Sequence, residues 1–238
     1  LNLNNPFNEA KTSANHSSLG GYHGAKMKRY QELIENCLSS NLAEMIGVLQ
    51  NGSKDLSKFT AVNMLNAQYL KFGDQANNVL QNDHAFGNAW FTENMISVKN
   101  SDEELAAVCS LVSQKMTVMN AEKFKSSQSV YDAAATIALE TYQPNLLKYR
   151  VNNQNAGFAV FSEIYYPLGW QATVDGVPTE IKQVNYVLRG LEIPANSQEV
   201  VFEFKPAAYF IGNKITAAFS ATVLLILGFG LFKTITKK

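Results

Sequence analysis

Between Ala25 and about Gln50 the apolar side chains Met27, Tyr30, Ile34, Cys37, Leu38, Leu42, Met45, Ile46 and Leu49 recur at three- and four-residue steps. That spacing predicts a long amphipathic helix, broken near Ser39, with one face packed on a core. Asn51, Gly52 and Ser53 stop it. Phe59 to Leu70 then predicts a second helix, or a helix running into a strand, with Val62, Leu65 and Tyr69 as the buried positions. Ahead of these elements, residues 1–24 are rich in Asn, Ser, Gly and His and show little periodicity, which reads as an irregular loop. Asn88 to Val98 carries strand-forming residues, and Ser101 followed by Glu104 reads as a capping box opening a short helix to about Val112.

Beyond Lys125 the pattern changes. Ala135–Thr141, Leu146–Asn152, Phe158–Ile164, Trp170–Val174, Glu180–Val184, Tyr186–Leu188 and Glu199–Lys205 are short, alternating and bounded by turn residues, the signature of a β-sandwich. Asp175-Gly176 predicts a two-residue type I′ hairpin, because that turn needs positive φ at both positions. In the last strand Val200, Phe202 and Phe204 share one face and Glu203 and Lys205 the other, and Pro206 ends it. The fold class expected is α+β: a mixed helical N-terminal half (1–125) packed with a C-terminal antiparallel β-sandwich (126–208), followed by one transmembrane helix (215–232).

That last element is the run ITAAFSATVLLILGFGLF from Ile215 to Phe232, roughly 18 uncharged residues and about 27 Å of helix. A buried core helix would show a polar stripe; here Thr216, Ser220 and Thr222 alone are polar, and each can bond back to its own helix. Lys233, Lys237 and Lys238 crowd one flank while Lys214 stands on the other. The positive-inside rule then places the C-terminus in the cytoplasm and residues 1–208 outside the membrane. Tyr209 and Phe210 precede the span where rings settle among headgroups.

Composition narrows the partners. Lys plus Arg and Asp plus Glu both number 20 among 238 residues, so the formal net charge is zero and the basic field that nucleic acid requires is missing. The chain opens on Leu1 with no basic stretch followed by an apolar run, so it reads as a fragment or processed product, the tail of a larger membrane protein. Cys37 and Cys109 are too few for a disulfide framework and have no metal-ligand spacing. On its helix face Cys37 reads as a buried free thiol, with a bridge to Cys109 as the alternative in an oxidising compartment.

The run from Tyr165, YYPLGWQATVDGVPTEIKQVNYVLRGLEIPANSQEVVFEFKP, resembles the C-terminal extracytoplasmic region of YfhO-like bacterial membrane proteins. The matching elements are Tyr166-Pro167, Gly169-Trp170, Asp175-Gly176, Asn185-Tyr186, Arg189, Ile193-Pro194-Ala195, the Phe202 and Phe204 alternation, and a terminal membrane helix. SLGGYHGAKMKRYQELI, NMLNAQYL and GNAWF upstream are similar to the same family, which often carries Gly and His where this chain has Asn196-Ser197-Gln198. The resemblance implies a multi-spanning protein of the GT-C glycosyltransferase type in the bacterial inner membrane. Such proteins move sugar from a polyprenyl-phosphate carrier to envelope glycan. It also implies a catalytic acid in an early outer loop that this chain does not contain, so no catalytic residue is assigned here. No cofactor and no metal are expected; the partners expected are membrane lipid, a polyprenyl-phosphate-linked sugar and envelope glycan.

The candidate ligand residues are His16, Tyr22, His23, Trp90 and Trp170. Gly20-Gly21-Tyr22-His23-Gly24 lets backbone approach a ligand while Tyr22 and His23 supply stacking and hydrogen bonds; a tight turn leading into the helix is the plainer reading. His16 can join His23 at a membrane-facing site, and Lys26, Lys28 and Arg29 can meet a lipid phosphate, against a solvated basic helix start. Trp90 and Trp170 are sugar platforms in one reading and core residues in the other, since Trp170 alternates with Ala172 and Val174. Asp175 belongs to its turn, and Asp102, Glu103 and Glu104 to a helix start where negative charge favours the dipole. Two functions follow: an accessory outer portion of a glycosyltransferase, or a non-enzymatic tethered module that binds glycan or protein.

Overall fold

The computed structural model describes residues 1–73, 75, 77–126, 132 and 134–236; Lys237 and Lys238, two of the cations behind the expected orientation, lie outside the described residues. A short helix, Lys11–Asn15 (α1), interrupts the segment expected to be irregular. The long helix runs as Lys28–Leu33 (α2), a π-helical turn at Ile34–Leu38, and Ser39–Gln50 (α3). The widened turn lies just ahead of the expected break, and Ile34, Cys37 and Leu38 within it are all buried. Thr60–Met64 (α4) runs into the strand Tyr69–Lys71 (β1), which pairs with Val79–Gln81 (β2). Strand alternation takes over at that point, so Leu70 is buried and Tyr69, expected inside, is exposed.

The strand expected over Asn88–Val98 is two strands, Ala89–Phe91 (β3) and Asn94–Val98 (β4). After β4 the chain forms Ser101–Cys109 (α5) and returns as Met116–Asn120 (β5), parallel to β4. The helix cap falls one residue earlier than the pattern suggests. Asn100 is the N-cap, its side chain accepting from the Glu103 amide at 2.8 Å, while Glu103 accepts from the Lys99 amide at 2.9 Å. Ser101 and Glu104 are thereby left to bind Arg29, whose Nη2 donates to Ser101 Oγ at 2.7 Å and whose Nη1 donates to Glu104 Oε2 at 2.9 Å. Glu104 is 1 % exposed. It also accepts from the Tyr186 amide at 3.2 Å, and the Arg29 guanidinium lies 4.4 Å from the centre of the Tyr186 ring.

Eight further strands build the sandwich: Thr136–Gln143 (β6), Leu146–Asn152 (β7), Gly157–Ile164 (β8), Trp170–Val174 (β9), Val177–Thr179 (β10), Lys182–Val184 (β11), Leu188–Ile193 (β12) and Glu199–Phe204 (β13). One sheet has the order β10-β9-β13-β7-β6 and the other β11-β12-β8-β3. The second sheet takes β3 from the N-terminal half, so the two halves interlock. Between the sheets Tyr149, Phe161 and Phe202 meet edge to face, with ring centres 4.8 to 6.0 Å apart. The Asp175-Gly176 hairpin has φ of 49° and 79°, as its turn type requires. Where the pattern predicts a strand at Tyr186–Leu188, Asn185 and Tyr186 instead turn the chain with φ of 46° and 68°, and β12 begins at Leu188.

Cys37 and Cys109 form a disulfide, with Cα atoms 5.4 Å apart and a separation of 72 residues in sequence. This corrects the free-thiol reading: α5 comes down on the π-turn and brings Cys109 to a cysteine whose partner no local spacing could reveal. Ala207–Ile235 (α6) leaves the sandwich from Pro206. Its apolar stretch, Ala207–Lys233, starts earlier than expected, is long enough to cross a membrane, and buries none of its most apolar window against the protein. Replacing Glu104 with alanine leaves Arg29 without its buried carboxylate and is expected to cost about 3 kcal/mol or more. Denaturant unfolding of the detergent-solubilised chain measures this; a loss under about 1 kcal/mol, the usual scale of exposed pairs, contradicts the structural role.

Candidate functional site

A cleft of about 750 Å³ lies where the N-terminal segment meets the sandwich. One wall is the loop Ser17–His23 with Lys26 and Tyr30, the second is Leu65–Tyr69 after α4, and the third is Leu139 and Tyr142 of β6 with Ser162, Glu163 and Ile164 of β8. Backbone packing holds the glycine loop in place. A side chain at Gly20 would run into the Pro6 carbonyl, and Gly21, at φ +128°, donates its amide to that same oxygen at 2.7 Å. Tyr30 donates its hydroxyl to the Leu19 carbonyl at 2.6 Å. On the far side the Ser162 hydroxyl lies 2.6 Å from the Met64 carbonyl oxygen and 2.9 Å from that of Gly87, tying α4 and the β3 approach to the end of β8.

Glu163 is the polar centre of this cleft. It makes no hydrogen bond or ion pair with a described residue, and among the described residues no other carboxylate lines the cleft. Burial raises its pKa above the ordinary carboxylate value, while the charge of Arg189 pulls the other way. Asn66, at φ 56°, adds a buried side-chain oxygen without a partner among the described residues. Tyr142 stands 62 % exposed beside Glu163, whose charge raises its phenol pKa together with burial. Tyr22 is also exposed, and the Gln68 amide completes the polar rim. Among the described residues no group of three or more His, Cys, Asp or Glu side chains is placed to hold a metal ion. A half-buried carboxyl, side-chain amides and the exposed rings of Tyr22, Tyr69 and Tyr142 suit a ligand bearing hydroxyls and apolar ring faces.

Of the expected residues, Tyr22 and His23 line this cleft; His23 Nδ1 accepts from the Ala25 amide at 3.1 Å. His16 ends α1, exposed and away from the lining. Trp90 is 5 % exposed and edge-on to Phe86 at 5.3 Å, its indole N–H unpaired among the described residues, so neither face is open to a sugar. Trp170 is half-buried outside the cleft, one face covered by the Arg189 guanidinium at 4.1 Å. Of the basic helix start, Arg29 is committed to Glu104, Lys28 lies 3.6 Å from Glu32 with its side chain 89 % exposed, and Lys26 stands at the cleft rim.

Pattern alone does not single out Glu163, Tyr142 or Asn66. A signal exists for Glu163: β8 is buried on both faces from Gly157 to Phe161, and the polar pair Ser162-Glu163 follows within the same strand. Arg189, one of the motif positions, is 3 % exposed; Nε donates to the Ile164 carbonyl at 3.1 Å and Nη1 has no partner among the described residues. With Trp170, Phe202 and Phe204 it forms a single stack at one end of the sandwich. Gly169, at φ +94°, admits no side chain there because Phe204 is 2.7 Å from where its Cβ would lie.

Residues 106–216 match the family described as bacterial membrane protein YfhO. The match takes in the second half of α5, the strands from β5 to β13, and the start of α6. It therefore covers the Arg189 stack, the Asn185-Tyr186 turn and the β6 and β8 wall of the cleft. No curated protein and no solved structure matches the chain.

The raised pKa of Glu163 has a pH consequence. A carboxyl that holds its proton more tightly when folded destabilises the fold as pH rises from the unfolded value near 4.5 through the raised folded value. Glu163→Gln removes that cost, so the variant is expected to unfold at a higher temperature than the wild type at pH 7 and at the same temperature at pH 4. Thermal unfolding at the two pH values reads this; a variant less stable at pH 7 contradicts it.

Proposed function

We propose that this chain, a YfhO-like bacterial membrane protein, is an extracytoplasmic C-terminal portion that seats envelope glycan in the Glu163 cleft. There it supports transfer of sugar from a polyprenyl-phosphate carrier. The observation that carries the reading is a half-buried carboxyl, uncommitted among the described residues, in a cleft of about 750 Å³ that three exposed tyrosines, Tyr22, Tyr69 and Tyr142, also line. A carboxyl left without protein partners is costly unless a ligand uses it. Glycan hydroxyls would donate to Glu163 and Asn66, and a sugar face would lie on Tyr142 or Tyr22.

The location outside the cytoplasm draws support from the Cys37–Cys109 disulfide, since such bonds persist in oxidising compartments. Lys233 at the far flank of the apolar helix fits a cytoplasmic C-terminus by the positive-inside rule. A second reading, a tethered glycan-binding module without enzymatic chemistry, is favoured by the single carboxylate among the described residues of the lining. Displacement at a glycosidic centre ordinarily uses two acidic groups or a metal, and a lone carboxyl suits holding better than reacting.

Both readings make the cleft a glycan site. Tyr142→Ala and Glu163→Ala are each expected to weaken envelope-oligosaccharide binding by about tenfold, or about 1.4 kcal/mol. Val177→Ser, at the opposite hairpin, should leave it unchanged. Titration calorimetry on the detergent-solubilised chain measures all three; equal affinity across the set removes the cleft from the function.

A further inference from the structure

We propose that the sandwich rests directly on the bilayer surface through an apolar collar, and is not held away from it on a stalk. The path of the chain limits the distance. β13 ends at Phe204 and α6 begins at Ala207, so Lys205 and Pro206 alone join them. That junction is pinned on both sides. Phe204 donates its amide to the Asn145 carbonyl at 3.0 Å and Lys205 donates to the Gly169 carbonyl at 2.7 Å. Asn145 closes the turn between β6 and β7, and Gly169 ends the loop between β8 and β9. These two loops flank the exit of the helix.

They also carry the apolar surface. Among the described residues of the sandwich, the large apolar side chains left exposed are Tyr142, Tyr166, Leu168 and Val177. The first three belong to this end, with Leu168 64 % exposed; Val177 stands by itself at the far hairpin. Glu203 and Lys205, at the same end, neutralise each other at 2.6 Å. A clustered apolar rim around the root of an apolar helix matches a lipid interface, where tyrosine settles with its ring in the acyl boundary and its hydroxyl among headgroups.

The dimensions agree. From Ile211 to Phe232 the helix covers about 22 residues and about 33 Å, which a tilt of about 20° fits to a hydrocarbon core of about 30 Å. Lys214 lies one turn inside, from where its stem extends to the interface. Pro206 is then about 7 Å above the hydrocarbon edge, within a headgroup layer about 5 to 8 Å deep. The side chains of Tyr166 and Leu168 reach the boundary from there. Tyr142 belongs to the collar and to the Glu163 cleft, so the cleft opens beside the headgroups, whatever it binds.

Spin labels on the full chain test the seating. The chain is reconstituted in vesicles of phosphatidylethanolamine and phosphatidylglycerol, with a nitroxide at Leu168→Cys or at Ala195→Cys, an exposed position at the opposite end; Cys37 and Cys109 are bonded and take no label. The Leu168 label should gain accessibility to oxygen and lose most of its accessibility to a water-soluble nickel chelate, relative to the Ala195 label. Equal accessibility at the two positions overturns the proposal, as does a Leu168 label shielded from both reagents, which would mean cover by protein. Tyr166→Cys repeats the measurement if Leu168→Cys does not fold.

Discussion

Arg29 occupies the point on which the arrangement of the two halves turns. Its guanidinium meets Glu104 of α5, Ser101 at the start of that helix, and the carbonyl and ring of Tyr186 in the turn before β12. Three segments distant in sequence are thus held by one planar cation with its donors in fixed directions. Glu104 also accepts from the Tyr186 amide, and the Tyr186 hydroxyl reaches Glu32 one turn along from Arg29. The network satisfies a carboxylate that would otherwise be a buried unpaired charge. The Cys37–Cys109 bond works in parallel, fixing the next stretch of the same helix to the other end of α5. Together they fix where the N-terminal segment sits on the sandwich, and so fix the cleft between them.

What the cleft offers differs from the amide network in the interior. Asn63 donates to the Leu56 carbonyl, Asn82 to Asn63 and the Ala67 carbonyl, and the Asn185 oxygen accepts from the Val118 amide. Among the described residues Glu163 and the Asn66 oxygen have no such commitment, and unlike the unpaired core atoms Trp90 Nε1, Thr117 Oγ1 and Asn185 Nδ2 they belong to residues that line the cleft. Arg189, its Nη1 unpaired among the described residues, is charged enough to temper the pKa of Glu163 but is not bonded to it. A protein stabilised only for its own sake would pair these groups or replace them with apolar ones. Keeping them apart costs stability and leaves hydrogen-bonding capacity facing a space that a ligand can fill.

Much of this is legible in the sequence. Period-two alternation locates most sandwich strands within a residue or two, and Asp175-Gly176 names its own turn because the φ requirement is local. The apolar run identifies α6, though Lys214 interrupts it and hides the start at Ala207. What pattern does not supply is pairing across distance. Glu104 reads as a dipole-facing helix start because its partner, Arg29, lies 75 residues away; Cys37 reads as a small hydrophobe because Cys109 comes from another element. Tyr186 reads as the start of a strand because two consecutive non-glycine residues at positive φ, as Asn185 and Tyr186 are, occur rarely, and here tertiary bonds hold them. Glu163 escapes pattern for the same reason: its importance comes from walls that three separate segments bring together.

Whether the glycine loop, the residues after α4 and the end of β8 act as one binding cleft is tested most directly by hydrogen exchange on the full chain, with and without an envelope oligosaccharide. Amides of residues 17–23, 65–69 and 162–164 are expected to slow together when the glycan is added, while the Asp175-Gly176 hairpin is unaffected. Slowing confined to other surfaces, or in one wall and not the others, would contradict a shared site.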